Sequence, residues 1–302
     1  MRIFVTGATG FLGSAIVHQL LTSGYQVLGL TRSEEGAKRL LAWGAEAHVG
    51  DIEDIDSLRG GAQQADGIIH TAFNHDFSRF VENCAADRQA IEAMGSALHG
   101  SARPIIITSA AGLGAAEQGQ LASENHFNPD SANPRKASEL AAETLIKQGV
   151  NVSIVRLPQV HNTDKQGLIT PLIALAQAKG VSAYVGEGQH RWAAVHISDA
   201  ARLFVLAMEA KTPGSRYHAV AEEGIPLKSI AEAIGRGMKI PVQPVDAEQA
   251  AAHFGWLAPF VSHDMSASSA LTRQLLAWQP TGPRLLSDLQ QINYAAGSGE
   301  HG

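Results

Sequence analysis

Along the first half of the chain, short runs of Ile, Val and Leu alternate with stretches whose apolar residues recur at helical spacing. Continuous apolar runs suit strands covered on both faces, and strands separated by amphipathic helices are joined in parallel. The pattern predicts strands at Arg2–Thr6, Gln26–Thr31, Ala45–Val49, Gly67–Thr71, Pro104–Ser109 and Asn151–Leu157. Between them it predicts helices at Phe11–Thr22, Glu34–Trp43, Asp54–Gln63, Phe77–His99 and Pro134–Lys147, the last opening with Pro and closing at Gly149. The expected fold is α/β, a doubly wound parallel sheet with right-handed crossovers.

Beyond Pro158 this regularity fails. Leu168–Lys179 and Ser198–Glu209 read as helices, but the strands between them are short and interrupted by Gly, and three of the four tryptophans (Trp192, Trp256, Trp278) fall here. Residues 1–158 are expected to form the main domain and 159–302 a smaller, substrate-facing C-terminal lobe. Ser215–Ala221 is read as a strand returning to the main sheet, and Gly297–Gly302 as a disordered end.

Composition narrows the class. A chain of 302 residues with 45% hydrophobic content can fill a full core. A net charge of −6 with no basic run argues against nucleic acid or an anionic membrane as the main partner. The single cysteine, Cys84, excludes an intramolecular disulfide and is assigned to helix packing. A strand beginning at Arg2 leaves no room for a signal peptide, and no apolar run reaches transmembrane length. The expectation is a soluble, cytoplasmic protein.

The candidate chemistry starts at Gly7-Ala8-Thr9-Gly10-Phe11-Leu12-Gly13, between the first strand and the first helix. A helix N-terminus offers unpaired N–H groups and a positive dipole end, so this loop reads as a phosphate cradle of a Rossmann-type dinucleotide site. Gly7 permits the tight turn, Gly10 the approach of a pyrophosphate, and Gly13 close packing of helix on strand. At the end of the second strand an NAD site places a carboxylate against the ribose 2′-hydroxyl. The run here is Gly29-Leu30-Thr31-Arg32-Ser33, with no acid. Arg32 and Ser33 suit a 2′-phosphate, so NADP(H) is favoured over NAD(H).

The Gly-x-x-Gly-x-x-Gly spacing resembles the short-chain dehydrogenase/reductase superfamily in its extended, epimerase/dehydratase-like form. Asp51 after the third strand, His70-Thr71-Ala72 at the fourth, Thr108-Ser109 at the fifth and Val195-His-Ile-Ser-Asp199 before a helix carry the resemblance over nearly the whole chain. It implies that Asp51 and Ile52 border the adenine, that Thr71 and Ala72 line the ribose side, and that Ser109, Leu157 and Pro158 lie along the nicotinamide. Relatives of this type often pair through two long helices, here Phe77–His99 and Pro134–Lys147. A homodimer is one assembly this allows, with Cys84 and Met94 as interface candidates.

One departure from the family pattern governs the chemistry. Family members carry Tyr-x-x-x-Lys in the helix after the fifth strand, the tyrosine passing a proton and the lysine lowering its pKa. This chain reads Arg135-Lys-Ala-Ser138-Glu139-Leu-Ala-Ala-Glu143, with Arg135 in the tyrosine position and Glu139 in the lysine position. The subgroup is therefore atypical. Two readings stand side by side: Arg135 orients or polarises a substrate group, or Arg135 and Glu139, four apart on one helix face, pair as a structural ion pair. Ser109 is retained as the substrate-orienting serine. His75 and His161 are candidates for a proton relay because imidazole titrates near neutral pH. His196 is read as fixing the turn into a helix, and His70 as packing. No spacing fits a metal site or a serine hydrolase.

The function expected is an NADP(H)-dependent oxidoreductase acting on a small carbonyl-bearing molecule. Phe73, Phe77, Trp192, Phe254 and Trp256 are candidate pocket walls. An NADP(H)-binding sensor that has lost catalysis is the alternative, and a nucleotide-sugar epimerase or dehydratase a second one.

Overall fold

Ile3, Phe4 and Val5 expose no surface, nor do Ile105, Ile106 and Ile107. Burial of every side chain in a run requires cover on both faces of a sheet. In the computed structural model, which describes residues 1–117 and 119–294, six strands follow the alternating pattern: β1 (Arg2–Thr6), β2 (Gln26–Thr31), β3 (Glu46–Val49), β4 (Gly67–His70), β5 (Pro104–Ala110) and β6 (Asn151–Leu157). After the short β7 (Gln159–His161), β8 (Ser182–Val185) and β9 (Arg191–His196), β10 (Arg216–His218) returns to the main sheet beside β6, as the sequence predicts. The order is β10-β6-β5-β4-β1-β2-β3, with every pairing parallel. The direction of winding reverses between β1 and β4, where doubly wound sheets open a crevice for ligands. The terminal stretch Gly297–Gly302 lies outside the described residues.

The helices are α1 (Phe11–Thr22), α2 (Glu34–Ala42), α3 (Ile55–Gln63), α4 (Phe80–Ser96), α5 (Lys136–Lys147), α6 (Ile169–Lys179) and α7 (Ile197–Ala210). One core joins α1, α2 and α7 to the sheet, and a second joins α3, α4 and α5 to its other face. Local chemistry sets their starts. Ser33 caps α2 by accepting from the Gly36 amide at 3.0 Å, and Asp54 caps α3 by accepting from Ser57 at 3.0 Å. His196 caps α7 through Ser198, the role expected of it.

Two predicted helices start later than expected. Asp76 caps a single 3-10 turn at Phe77–Arg79 before α4 begins at Phe80. Asn133 Oδ1 accepts from the Arg135 amide at 2.9 Å and holds a turn ahead of α5. Cys84 and Met94 correct a further expectation. Both are turned inward from α4 and fully buried within the chain, so neither offers surface to a partner.

The remaining chain builds a separate core. β7, β9 and β11 (Glu222–Pro226) form a three-stranded sheet, and β8 pairs with β12 (Val242–Val245). Around them pack α6, α8 (Leu227–Met238), α9 (Ala250–Phe254), α10 (Ala258–Val261) and α12 (Leu285–Gln291), while α11 (Ala270–Leu276) lies against β10. Trp192 and Phe254 belong to this core, where Phe254 lines a small internal cavity with Leu172, Tyr184 and Val261. Among the described residues no helix is long and apolar enough to cross a membrane.

Candidate active site

The glycine loop crosses the C-terminal ends of β1 and β4. Gly7 takes a left-handed conformation at φ +67°, where a Cβ would also meet the Ala72 amide at 2.9 Å. A Cβ at Gly13 would lie 1.9 Å from the Gly7 carbonyl oxygen, so only glycine lets α1 pack this close. No side chain caps α1 at Gly10, and its first turn holds no acid. The first-turn amides around Phe11 and Leu12, with Thr9 beside them, therefore present donors and a positive dipole end to an anion. This cradle fits a pyrophosphate.

The remaining cofactor candidates follow the C-terminal ends of β2, β3, β4, β5 and β6. Arg32 leaves the end of β2 with four-fifths of its side chain in solvent, 3.9 Å from Asp51. Ser33 accepts from Gly36, which leaves its own proton to donate outward. Ile52 follows Asp51 and lines a groove of about 430 Å³ with Glu53, Ile55, Glu82 and Ala85. Thr71 and Ala72 follow β4. Leu157 ends β6 opposite Ala110, with Pro158 next to it.

Arg135 and Glu139 do not pair with each other. Arg135 Nη1 donates to Asp87 Oδ2 and to Ser138 Oγ, both at 2.6 Å, and Nη2 donates to the Thr108 carbonyl at 3.1 Å. Its guanidinium lies 4.1 Å from the centre of the Phe73 ring. Asp87 is fully buried, which would raise its pKa. The charge of Arg135 and hydrogen bonds from His70 and Ser138 reverse that effect and bring it to about 2.

Glu139 is gripped from the other side. Arg156 reaches it through two hydrogen bonds of 2.7 and 2.8 Å, Arg216 adds one of 2.8 Å, and Ser109 Oγ donates to it at 2.7 Å. Burial works against the charge on Glu139, and the arginines outweigh it, so its pKa is lowered. Arg216 also binds Glu143 at 3.0 Å. Behind them His218, whose pKa burial and then Arg156 push down to about 4, sits 3.2 Å from Arg156. Arg135 and Glu139 thus belong to two separate, oppositely wired charge networks.

The two relay candidates lie apart. His75 is at the surface between the rings of Phe73 and Phe77. Crowding by its neighbours, then the charges of Lys165 and Arg135, lower its pKa. His161 has no exposed surface; its Nδ1 bonds Asp288 at 2.7 Å and its Nε2 has no partner among the described residues. Its pKa is lowered, with burial prevailing over Asp288. Phe77 stacks on Trp256 at 4.7 Å, and Phe260 closes the group, so an aromatic wall spans the two lobes beside Arg135.

Sequence reasoning missed Asp87, Arg156 and Arg216. A signal for the first was present. Cys84, Asp87, Ile91 and Met94 recur at helical spacing, so a carboxylate stands on the buried stripe of α4 and demands a partner.

Residues 3–220 match the model of the NAD dependent epimerase/dehydratase family. An uncharacterised protein of Schizosaccharomyces pombe is 50% identical over 97% of this chain and 100% of its own length. A 4-hydroxy-2-methyl-3-oxo-4-farnesyl-3,4-dihydroquinoline-1-oxide ketoreductase of Stigmatella aurantiaca is 26% identical over 84% of this chain and 80% of its own. Among solved structures, the dTDP-glucose 4,6-dehydratase DesIV of Streptomyces venezuelae superposes with a TM-score of 0.76 at 19% identity, covering 97% of this chain and 95% of that one.

Proposed function

Because the chain belongs to the NAD dependent epimerase/dehydratase family, we propose that it is an NADP(H)-dependent oxidoreductase that reduces the carbonyl of a small molecule, with Arg135 meeting the substrate oxygen. The observation that carries this reading is the Arg135 guanidinium. It is pinned at the ends of β4 and β5 by Asp87, Ser138 and the Thr108 carbonyl, while Nε–H and one Nη2–H have no partner among the described residues. About a tenth of its side chain reaches solvent. A fixed cation with donors to spare stabilises negative charge developing on an oxygen.

When bound, a reduced nicotinamide would supply the hydride to the substrate carbon. Arg135 would hold the negative charge developing on the substrate oxygen by hydrogen bonding, without giving up a proton. Water supplies the proton, and His75 at the rim, its pKa lowered, passes it on from solvent as a neutral imidazole. Arg32 and Ser33 receive the 2′-phosphate. Phe73, Phe77 and Trp256 form the apolar wall that excludes water. The ketoreductase relative supports carbonyl reduction as the reaction class.

NADPH oxidation against a panel of aldehydes, ketones, enones and imines tests the reading. Turnover is expected with at least one class, and Arg135→Ala should lower kcat about 100-fold. A second reading, an NADP(H)-binding sensor, draws on the Ser109 hydroxyl being spent on Glu139. Tight NADPH binding with no oxidation by any compound would favour the sensor and overturn the reductase.

A further inference from the structure

Thr6 and His70 are register partners across the point where the winding of the sheet reverses, and both are buried. The amides of Thr71 and Ala72 each donate to Thr6 Oγ1 at 3.2 Å. The Thr6 hydroxyl proton is then directed at His70 Nδ1, 2.7 Å away. A carboxylate only accepts, so His70 carries a proton on Nε2, and that N–H donates to Asp87 Oδ1 at 3.0 Å. The other oxygen of Asp87 takes Arg135 and Ser138. Donors and acceptors match along the whole chain of bonds, as a polar network in a core must.

Packing gives no reason for a carboxylate at this place. Asp87 shares its stripe of α4 with Cys84, Ile91 and Met94, all buried. A charge there is costly unless every lone pair is used. The other carboxylate within reach of Arg135 on its own helix face, Glu139, is held by Arg156 and Arg216.

We infer that Asp87 is the positioning residue of this site: it fixes the Arg135 guanidinium at the mouth of β5 and, through His70 and Thr6, ties it to the two peptide groups that border the cofactor crevice. The inference rests on the reading of Arg135 as the group facing the substrate oxygen. It gives that oxygen and the cofactor a common frame, because one continuous hydrogen-bonded chain holds both sides.

Asp87→Asn keeps the shape but removes the charge and one acceptor oxygen. In nitrogen-15-labelled protein, wild-type Arg135 should show resolved, slowly rotating Nη–H signals, assigned by their loss in Arg135→Lys. Those signals should collapse in Asp87→Asn and broaden in Thr6→Val, which breaks the remote end of the chain and leaves α4 untouched. With a turned-over substrate, Asp87→Asn should lower kcat about 30-fold with KM changed less than about threefold. It should add no further loss to Arg135→Ala. Averaged Arg135 signals in the wild type, unchanged signals in either variant, or full additivity with Arg135→Ala would overturn the inference. If Asp87→Asn does not fold, the wild-type and Thr6→Val spectra decide it. Should Arg135→Ala turn over as fast as the wild type, the reading of Arg135 falls while the spectra still decide the role of Asp87.

Discussion

At the scale of single residues, Arg32 and Arg135 do opposite things with the same side chain. Arg135 is held by Asp87, Ser138 and a carbonyl, with its guanidinium 4.1 Å from the centre of the Phe73 ring. Arg32 reaches into solvent with one distant carboxylate beside it. An exposed guanidinium gains little from such a pair, which leaves Arg32 available to a phosphate ligand. A charge-assisted fork to a phosphate contributes about 1.5–3 kcal/mol. Arg32→Ala should therefore weaken NADPH binding by about 10- to 100-fold and NADH binding by less than about threefold, as read by fluorescence titration of the two cofactors. Equal losses for both would remove Arg32 from the 2′-phosphate site. His161 shows how burial redirects a residue that titrates near neutrality: with Nδ1 on Asp288 and no exposed surface, it is held neutral inside the smaller lobe.

At the scale of elements, both charges of α5 are matched by its neighbours. Arg135 is met by Asp87 from α4, and Glu139 by Arg156 from β6 and Arg216 from β10. Four elements are thus committed to these charges. Installing the pair that the family resemblance implies, by Arg135→Tyr with Glu139→Lys, would leave Asp87 without its guanidinium and set a lysine against the buried Arg156 and the half-buried Arg216. Breaking a buried ion pair by removing one partner costs about 3–5 kcal/mol. The double variant should lose at least that much in urea unfolding and should not gain activity. A stable, faster double variant would show that the charge networks are incidental to the site.

At the scale of the whole molecule, the same networks set how the fold answers to pH. His218 has a folded pKa of about 4, below its ordinary value of 6.5. Its contribution to stability is whole above pH 6.5 and is lost as pH falls towards 4, because the unfolded chain binds that proton first. Asp87, with a folded pKa of about 2 against an ordinary 3.8, adds a second loss between those two values, about 2 kcal/mol in size. The melting temperature should therefore start to fall below about pH 6.5 and fall further below about pH 4. His218→Gln should flatten the first limb and leave the second. A melting temperature constant down to pH 4 would contradict a neutral, buried His218.

Much of this was legible from residue order alone. Periodicity located the central strands β1, β4, β5 and β6, because a strand buried on both faces is apolar throughout and needs no knowledge of its neighbours. The return read at Ser215–Ala221 is shorter in the structure, Arg216–His218. The tight backbone of the loop from Gly7 to Gly13 was legible for a similar reason, since the left-handed turn at Gly7 and the close approach at Gly13 are local demands for glycine. Helix starts at Phe77 and Pro134 were misplaced because local caps at Asp76 and Asn133 compete with periodicity. The partners of Arg135 and Glu139 were out of reach of sequence reasoning. Spacing of four on a helix makes these two residues look like each other's partner, but Asp87 lies 48 positions from Arg135, and Arg216 lies 77 from Glu139. Which charges meet in a core depends on which faces of β6, β10, α4 and α5 are turned together, and only the folded chain decides that.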